Sequence, residues 1–187
     1  MSTEKDAIII DSILHAESDL LAAAECYRVF PAAVDVLIKS RPERMNAYCA
    51  ANGLPELTWL AEGVKYQERW TSPLLCSSGD FLQARNIGIL AEGAQSEFRR
   101  ISYGIYWLDK NNKAPWEQTL HNALGAALGP GQMQNDWIWH VQRPELANWT
   151  TPEMLAALYG ESPTGPEMFC LEIYRVVKKF FTDHPEL

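Results

Sequence analysis

Two segments in the middle of the chain carry apolar residues at every second position, and they limit the possible folds more than any other feature. In residues 101–107 the odd positions form an apolar row, and in residues 137–141 the two tryptophans and the final valine share one face. Alternation at every second residue is typical of strands with one buried face. Residues 83–90 are predicted to form a third strand. A sheet of this kind must bury its apolar face against a second layer.

Three short sequences of one pattern predict where helices begin. Ser40–Glu43, Thr150–Glu153 and Thr164–Glu167 all have Ser or Thr, then any residue, then Pro and Glu. The hydroxyl can accept from the third helical amide, and the glutamate can reach back to the amide of the capping residue. Proline is tolerated in a first turn because its missing N–H would be unpaired there. We therefore expect helices to begin near residues 41, 151 and 165.

The remaining periodicity is mostly helical. Ile8–Ile10 fits either a strand or a helix, because a β-branched run suits both. The predicted fold class is α+β, with a helical N-terminal third, a small antiparallel sheet in the middle and closing C-terminal helices, all in a single domain over residues 1–187. The predicted helices are 19–30, 32–39, 43–51, 55–66, 115–128 and 165–182.

Charge and cysteine content narrow the classes of partner. The net charge of −8, from 16 basic and 24 acidic side chains, disfavours broad contact with phosphate backbones, so nucleic acid is not the expected partner. Four cysteines occur without any CxxC spacing. The N-terminus lacks the pattern of a secretory signal, and no apolar run has the length of a membrane helix. We expect a cytoplasmic protein with no membrane contact.

The known catalytic and metal-binding motifs do not occur. The chain contains no nucleophile elbow, phosphate-binding loop, GxGxxG or HExxH. Glu117 and His121 lie four residues apart and could supply two metal ligands, but a zinc site needs at least three from the protein. We therefore predict no catalytic residues, no metal and no cofactor.

Tryptophan is the unusual residue of this sequence. Five of the seven tryptophans lie between residues 107 and 149. Side chains of this size dominate both cores and binding pockets. They either stack beneath the helix at 115–128 as core, or line an aromatic groove with polar groups at its edge. The candidate residues for binding a ligand or partner are Tyr103, Tyr106, Trp107, Trp116, Trp137, His140 and Arg143.

The order of aromatic segments and helix starts resembles the region after the catalytic core in some bacterial and phage proteins of the PD-(D/E)XK nuclease superfamily. That family holds Mg²⁺ through acidic residues that end in Asp/Glu-x-Lys, and no acidic residue here is followed two residues later by lysine. The resemblance therefore implies an accessory recognition role instead of cleavage. It spans residues 26–182 and rests on 28–37, 40–44, 100–107, 137–141 and 149–153.

These observations favour a non-enzymatic interaction domain of bacterial or phage type. Its protein partner would dock on the Trp-rich sheet region or on the acidic N-terminal helices. One alternative is a domain that binds a small ligand or nucleotide in an aromatic groove, with His140 and Arg143 as polar contacts. Another is a degenerate or atypical nuclease. The sequence leaves the oligomeric state open.

Overall fold

The computed structural model describes residues 4–61, 71–78, 80–93, 100–149 and 151–187, with the side chains of 4–6 and 71–78 outside this description. Within these ranges the chain forms helices and one antiparallel sheet, so the α+β class is confirmed. The helices are α1 Glu4–Ile13, α2 Glu17–Ala51, α3 Glu117–Leu128, α4 Pro152–Tyr159 and α5 Gly165–Asp183. The strands are β1 Leu57–Leu60, β2 Thr71–Ser78, β3 Ile87–Gly93, β4 Ile101–Trp107, β5 Gln132–Gln134 and β6 Trp137–Val141.

The sheet is larger than the sequence indicated. Among the described residues it has six strands in the order β1-β2-β3-β4-β6-β5, and each neighbouring pair is antiparallel. In its centre Ile89, Ile105 and Trp139 are partners in register and point to one face, where all three are fully buried. Helices α3 and α5 and the second half of α2 cover this inner face. The opposite, outer face carries the even-numbered residues of β3 and β4.

Two of the three predicted helix starts are confirmed. The cap of α4 is Thr151, one residue after the predicted Thr150, which lies outside the described residues; the Thr151 hydroxyl accepts from the amide of Met154 at 3.2 Å, and α4 begins at the next residue. Thr164 and Glu167 form a complete capping box at the start of α5. The helix predicted at 115–128 is α3, which ends before Gly129 with φ +95°.

The predicted helix start at residue 41 is wrong, because α2 continues through both Pro31 and Pro42. The Ser40 hydroxyl donates to the carbonyl oxygen of Leu37 at 2.7 Å instead of capping a new helix. Interior proline costs about 3 kcal/mol or more in a helix. Here buried residues anchor α2 on both sides of Pro42, so tertiary packing offsets that cost. These anchors are Val34, Ile38, Arg41, Met45 and Cys49.

The other differences between the predicted and the observed secondary structure are local. Residues 57–60 of the helix predicted at 55–66 form strand β1, in which the Trp59 indole donates to Cys49 Sγ at 3.1 Å; residues 62–66 lie outside the described ranges. The strand predicted at 83–90 starts as a 3₁₀ turn over Gln83–Arg85, and β3 follows it. Ile8–Ile10 is helical, within α1. None of the described helices is long and apolar enough to cross a membrane.

Candidate binding surfaces

Three of the seven candidate residues belong to the core beneath the sheet. Tyr103 is fully buried, donates from its hydroxyl to the Leu146 carbonyl at 2.7 Å and accepts from the Trp149 indole at 2.7 Å. Trp107 is 2% exposed and donates to Glu117 Oε1 at 2.7 Å. Its ring lies 5.1 Å from that of Trp116, which is 7% exposed. These three side chains hold helices to the inner face and line no groove.

Arg143 is also separated from the proposed groove. Its guanidinium donates to the carbonyl of Leu128 at the end of α3 and lies 5.2 Å from the ring centre of Phe169 in α5. A cation at the end of a helix satisfies a carbonyl that has no intrahelical partner. Arg143 therefore joins two helices, and the structure does not bring it to His140.

The remaining three candidates, Tyr106, Trp137 and His140, meet on the outer face. The sequence placed Trp137 and Trp139 on one face of β6, and this is wrong. Ile105 pairs with Trp139, but Tyr106 pairs with Trp137, so one extra residue of β6 bulges between them. A bulge of this kind reverses the direction of the side chains beyond it. The rings of Trp137 and Tyr106 lie 6.3 Å apart, and those of Trp137 and His140 lie 5.3 Å apart.

Two glycines on this face permit close approaches, Gly104 to the backbone of β6 and Gly88 to the Tyr106 ring. A Cβ at Gly104 would stand 2.1 Å from the Trp139 carbonyl oxygen and 2.8 Å from His140 Cα. A Cβ at Gly88 would stand 2.6 Å from the Tyr106 ring. Burial in this layer raises the pKa of the Tyr106 hydroxyl and lowers the pKa of His140. The imidazole is therefore neutral at pH 7.

A polar cavity of about 350 Å³ opens beside His140 at the end of the sheet. The imidazole Nε2 is buried and has no hydrogen-bond partner among the described residues. Arg100 Nε donates to Gln142 Oε1 at 3.2 Å, and Gln142 Nε2 donates to the Ser102 hydroxyl at 3.2 Å. Among the residues that the structure describes, the lining side chains offer several donors and no carboxylate. They are Arg100, Pro130, Gln132, His140, Val141 and Gln142, with the backbone of Gly131.

The sequence analysis missed several polar groups on the outer face. Glu92 is the register partner of Ser102 and is half-buried, and burial raises the pKa of its carboxyl. Glu92 was missed because the predicted strand stopped at residue 90. Ser102 could have been found, since even positions in 101–107 oppose the apolar row. Gln132 and Gln142 belong to no periodic pattern in the sequence from which their position could be predicted.

The pair of potential metal ligands on α3 serves structural roles. Glu117 accepts from the Trp107 indole and from Lys113 Nζ, the latter at 3.3 Å. His121 Nδ1 lies 2.8 Å from the carbonyl oxygen of Ile138. In the part of the chain that the structure describes, no group of three or more His, Cys, Asp or Glu side chains could hold a metal ion.

A second surface is formed by the N-terminal helices. Residues 7–33, which comprise most of α1, its turn and the first half of α2, form a helical arm. Between residues 7 and 30 only Ile13 and Ala23 are half-buried, and the other side chains are exposed. The first fully buried residue of α2 is Val34. Many of the exposed side chains on the arm are large and apolar: Ile8, Ile9, Ile10, Leu14, Leu20, Leu21, Tyr27, Val29 and Phe30.

Comparisons with models of known protein families, with curated proteins and with solved structures give no match.

Proposed function

We propose that this chain is a protein-binding domain that docks its partner through the helical arm. The observation that carries the proposal is the exposure of large apolar side chains on the arm, such as Leu20 at 48%, Leu21 at 63% and Tyr27 at 83%. Monomeric proteins rarely leave contiguous apolar surface of more than a few hundred Å² in water. An apolar helix surface of this kind is typical of one that a protein partner covers.

The shape of α2 supports the same proposal. A helix of 35 residues is about 52 Å long at 1.5 Å per residue. Its second half is anchored in the core, whereas the first half extends away from the sheet. Pro31 stands where the two halves meet, and its missing amide leaves the carbonyl of Tyr27 without the usual helical donor. A rigid globular body thus presents an apolar helix at a distance from itself.

Two exposed tyrosines provide a matched test. A photo-crosslinking phenylalanine analogue would replace Tyr27 on the arm, or Tyr159 on α4, which is 76% exposed. In cells of the native host, we expect one discrete covalent adduct from position 27 and none from position 159. Adding Leu20→Glu should abolish the adduct, because it places a charge in the apolar surface. No adduct at position 27, or the same adducts at both positions, would overturn the proposal.

The resemblance to accessory regions of PD-(D/E)XK nucleases agrees with a recognition role, and it stays a prediction. A bacterial or phage origin likewise stays a prediction.

A second candidate function is the binding of a small polar ligand beside His140. The unpartnered Nε2 atom at the cavity favours it, because buried polar atoms normally have partners. Thermal unfolding would be followed with citrate, inorganic phosphate and nucleoside monophosphates. A ligand that binds only the folded chain raises the melting temperature. A shift that His140→Phe abolishes and Tyr159→Phe leaves unchanged would support the site; no shift with any probe would exclude these ligand classes.

A further inference from the structure

We propose that the partner of the arm is a protein with an apolar groove that encloses the arm and carries lysine or arginine side chains at its rim. The inference rests on the proposed function and names the chemistry of the partner. The arm inserts as the ligand, and the partner supplies the groove. Two features of the arm support this: the distribution of its apolar side chains around the helices, and the position of its unpaired carboxylates.

Apolar side chains project from opposite sides of the first half of α2. Successive residues of an α-helix are about 100° apart around its axis, so Tyr27 and Val29 point about 200° apart. Both are exposed, Val29 at 42%. Leu20 shares the side of Tyr27, and Leu21 projects between the two sides. A flat partner surface would cover only one side of α2, whereas a groove that encloses the helix covers both.

The apolar residues of α1 show the same distribution. Ile8, Ile9 and Ile10 are consecutive, so their side chains cover about 200° of the helix circumference, and all three are exposed. A helix that is apolar around its circumference is normally buried on all sides. Because these side chains are exposed in this chain, the partner has to cover α1 on more than one side.

The charged side chains of the arm are mostly acidic. Four carboxylates and one arginine give the arm a net charge of −3, out of −8 for the whole chain. Glu25 and Arg28 pair with each other. In the described part of the chain, the carboxylates of Asp11, Glu17 and Asp19 have no ion-pair partner. These three residues flank the turn between α1 and α2, so the unpaired acidic charge lies around that turn.

The position of Asp11 shows that this charge does not serve helix stability alone. Glu17 and Asp19 lie in the first turn of α2, where the helix dipole favours carboxylates. Asp11 instead lies in the last turn of α1, where the dipole favours cations and where α1 has no basic residue. A lysine or arginine of the partner would offset this unfavourable position. We therefore place the basic rim of the groove opposite the turn between α1 and α2.

The same carboxylates disfavour two other occupants of the arm. A second copy of the chain would bring identical acidic arms together, and like charges repel each other. A membrane surface that contains anionic lipids would repel the arm for the same reason. A basic groove attracts the arm, and this attraction weakens as added salt screens the charges.

Photo-crosslinking from both sides of α2 would test whether the groove encloses the arm. The photo-reactive phenylalanine analogue would replace either Tyr27 or Val29 in the full-length protein, in cells of the native host, with Tyr159 as the control position. We expect positions 27 and 29 to give adducts with the same protein. An adduct from position 27 without one from position 29 would show that the partner covers a single side, and it would overturn this inference.

The purified partner, identified by mass spectrometry of the adduct, would test the role of charge. Calorimetric titration at low and high NaCl should show an affinity that falls as salt rises. Asp11→Lys should weaken binding by about tenfold or more, because it places like charges opposite each other. A lysine at this position suits the dipole of α1, and circular dichroism would confirm that the helices remain. Glu172→Lys, on the exposed side of α5, is the matched control and should leave the affinity nearly unchanged.

The outcomes separate the two proposals. No adduct from position 27 overturns both. An adduct with a second copy of this chain overturns this inference and leaves the proposed function standing, and so does a partner whose affinity neither salt nor Asp11→Lys lowers. Flotation of the chain with vesicles of phosphatidylcholine and phosphatidylglycerol, without any protein adduct, would assign the arm to a lipid surface and overturn both.

Discussion

Arg41 of α2 and Glu167 of α5 form a buried two-pronged ion pair between residues that are far apart in sequence. Arg41 Nε donates to Glu167 Oε1 at 2.8 Å and Nη2 donates to Oε2 at 2.7 Å, with both side chains 1% exposed. The guanidinium also donates to carbonyls at the end of α4 and beyond it, among them Leu158 and Ser162 at 3.0 and 2.9 Å. Glu167 Oε2 accepts from the amide of Thr164 at 2.7 Å. One arginine thus connects α2, α4 and the start of α5.

Removal of either partner of this pair should strongly destabilise the fold. Arg41→Ala leaves the Glu167 carboxylate buried beside unpaired carbonyls, and losses of about 3–5 kcal/mol are typical of such a change. The measurement is the free energy of unfolding in urea. Arg44 provides the control, because it is partly exposed: its 3.8 Å ion pair with Glu161 lies at the surface, and its guanidinium donates to the carbonyls of Tyr159 and Gly160 at 2.7 and 2.9 Å. Arg44→Ala should cost less, about 1–2 kcal/mol, because water can replace much of what these bonds contribute. Equal losses for the two variants would show that the buried pair does not anchor α2.

The same pair explains what the sequence could and could not predict. The capping box at Thr164 is local, so it was found from residues 164–167 alone. Ser40–Glu43 has the same pattern, but Arg41 is held by partners more than 100 residues away, and these keep α2 continuous through Pro42. Strand β1 was mistaken for a helix because four residues carry too little periodicity. The exposure of the arm could not be predicted from the sequence either. The apolar residues of the arm continue the apolar stripe of the buried half of α2, so the pattern does not show where burial ends.

Replacing two glycines with alanine should change the stability of the fold in opposite directions. At Gly104 the new methyl group would collide with the backbone of β6, so Gly104→Ala should cost about 1–3 kcal/mol or more. Gly125 lies inside α3, and a Cβ there has no atom within 4 Å. Gly125→Ala should stabilise the chain by roughly 0.5–1 kcal/mol through its higher helix propensity. Thermal or urea unfolding of both variants measures this. A tolerated Gly104→Ala would contradict the close approach of β4 and β6.

Acid should weaken the contact between α5 and the segment before β1. The Lys178 ammonium donates to Glu56 Oε1 at 2.6 Å and lowers the pKa of that carboxyl from 4.5 to about 2, with a further contribution from the Tyr174 hydroxyl. Because the pKa is lower in the folded state, the stabilisation is fully present above about pH 4.5. It is lost as the pH falls toward 2.

Unfolding of the wild type and of Glu56→Gln, measured at several pH values, would test this contribution. The wild type should be the more stable at pH 6, and the difference should shrink steadily below pH 4.5. Lys178→Gln should reduce the same pH dependence, since it removes the main cause of the lowered pKa. A difference that is constant with pH would show that the Glu56 ion pair contributes nothing.

The bulge in β6 places Trp137 and Trp139 on opposite faces of the sheet, although the alternation in the sequence predicts one face for both. Trp139 is fully buried in the core, and its indole nitrogen would lie 2.1 Å from a Cβ at Gly131. Trp137 is half-buried on the outer face beside Tyr106 and His140.

Trp139→Ala should therefore cost about 3–5 kcal/mol, the usual loss when a large core side chain is removed. Trp137→Ala should cost about 1 kcal/mol, because much of its ring stays in contact with water. Unfolding in urea measures both losses. Similar losses would mean that the strand follows the simple alternation after all, with both indoles on the inner face, and the outer-face group of Tyr106, Trp137 and His140 would not exist.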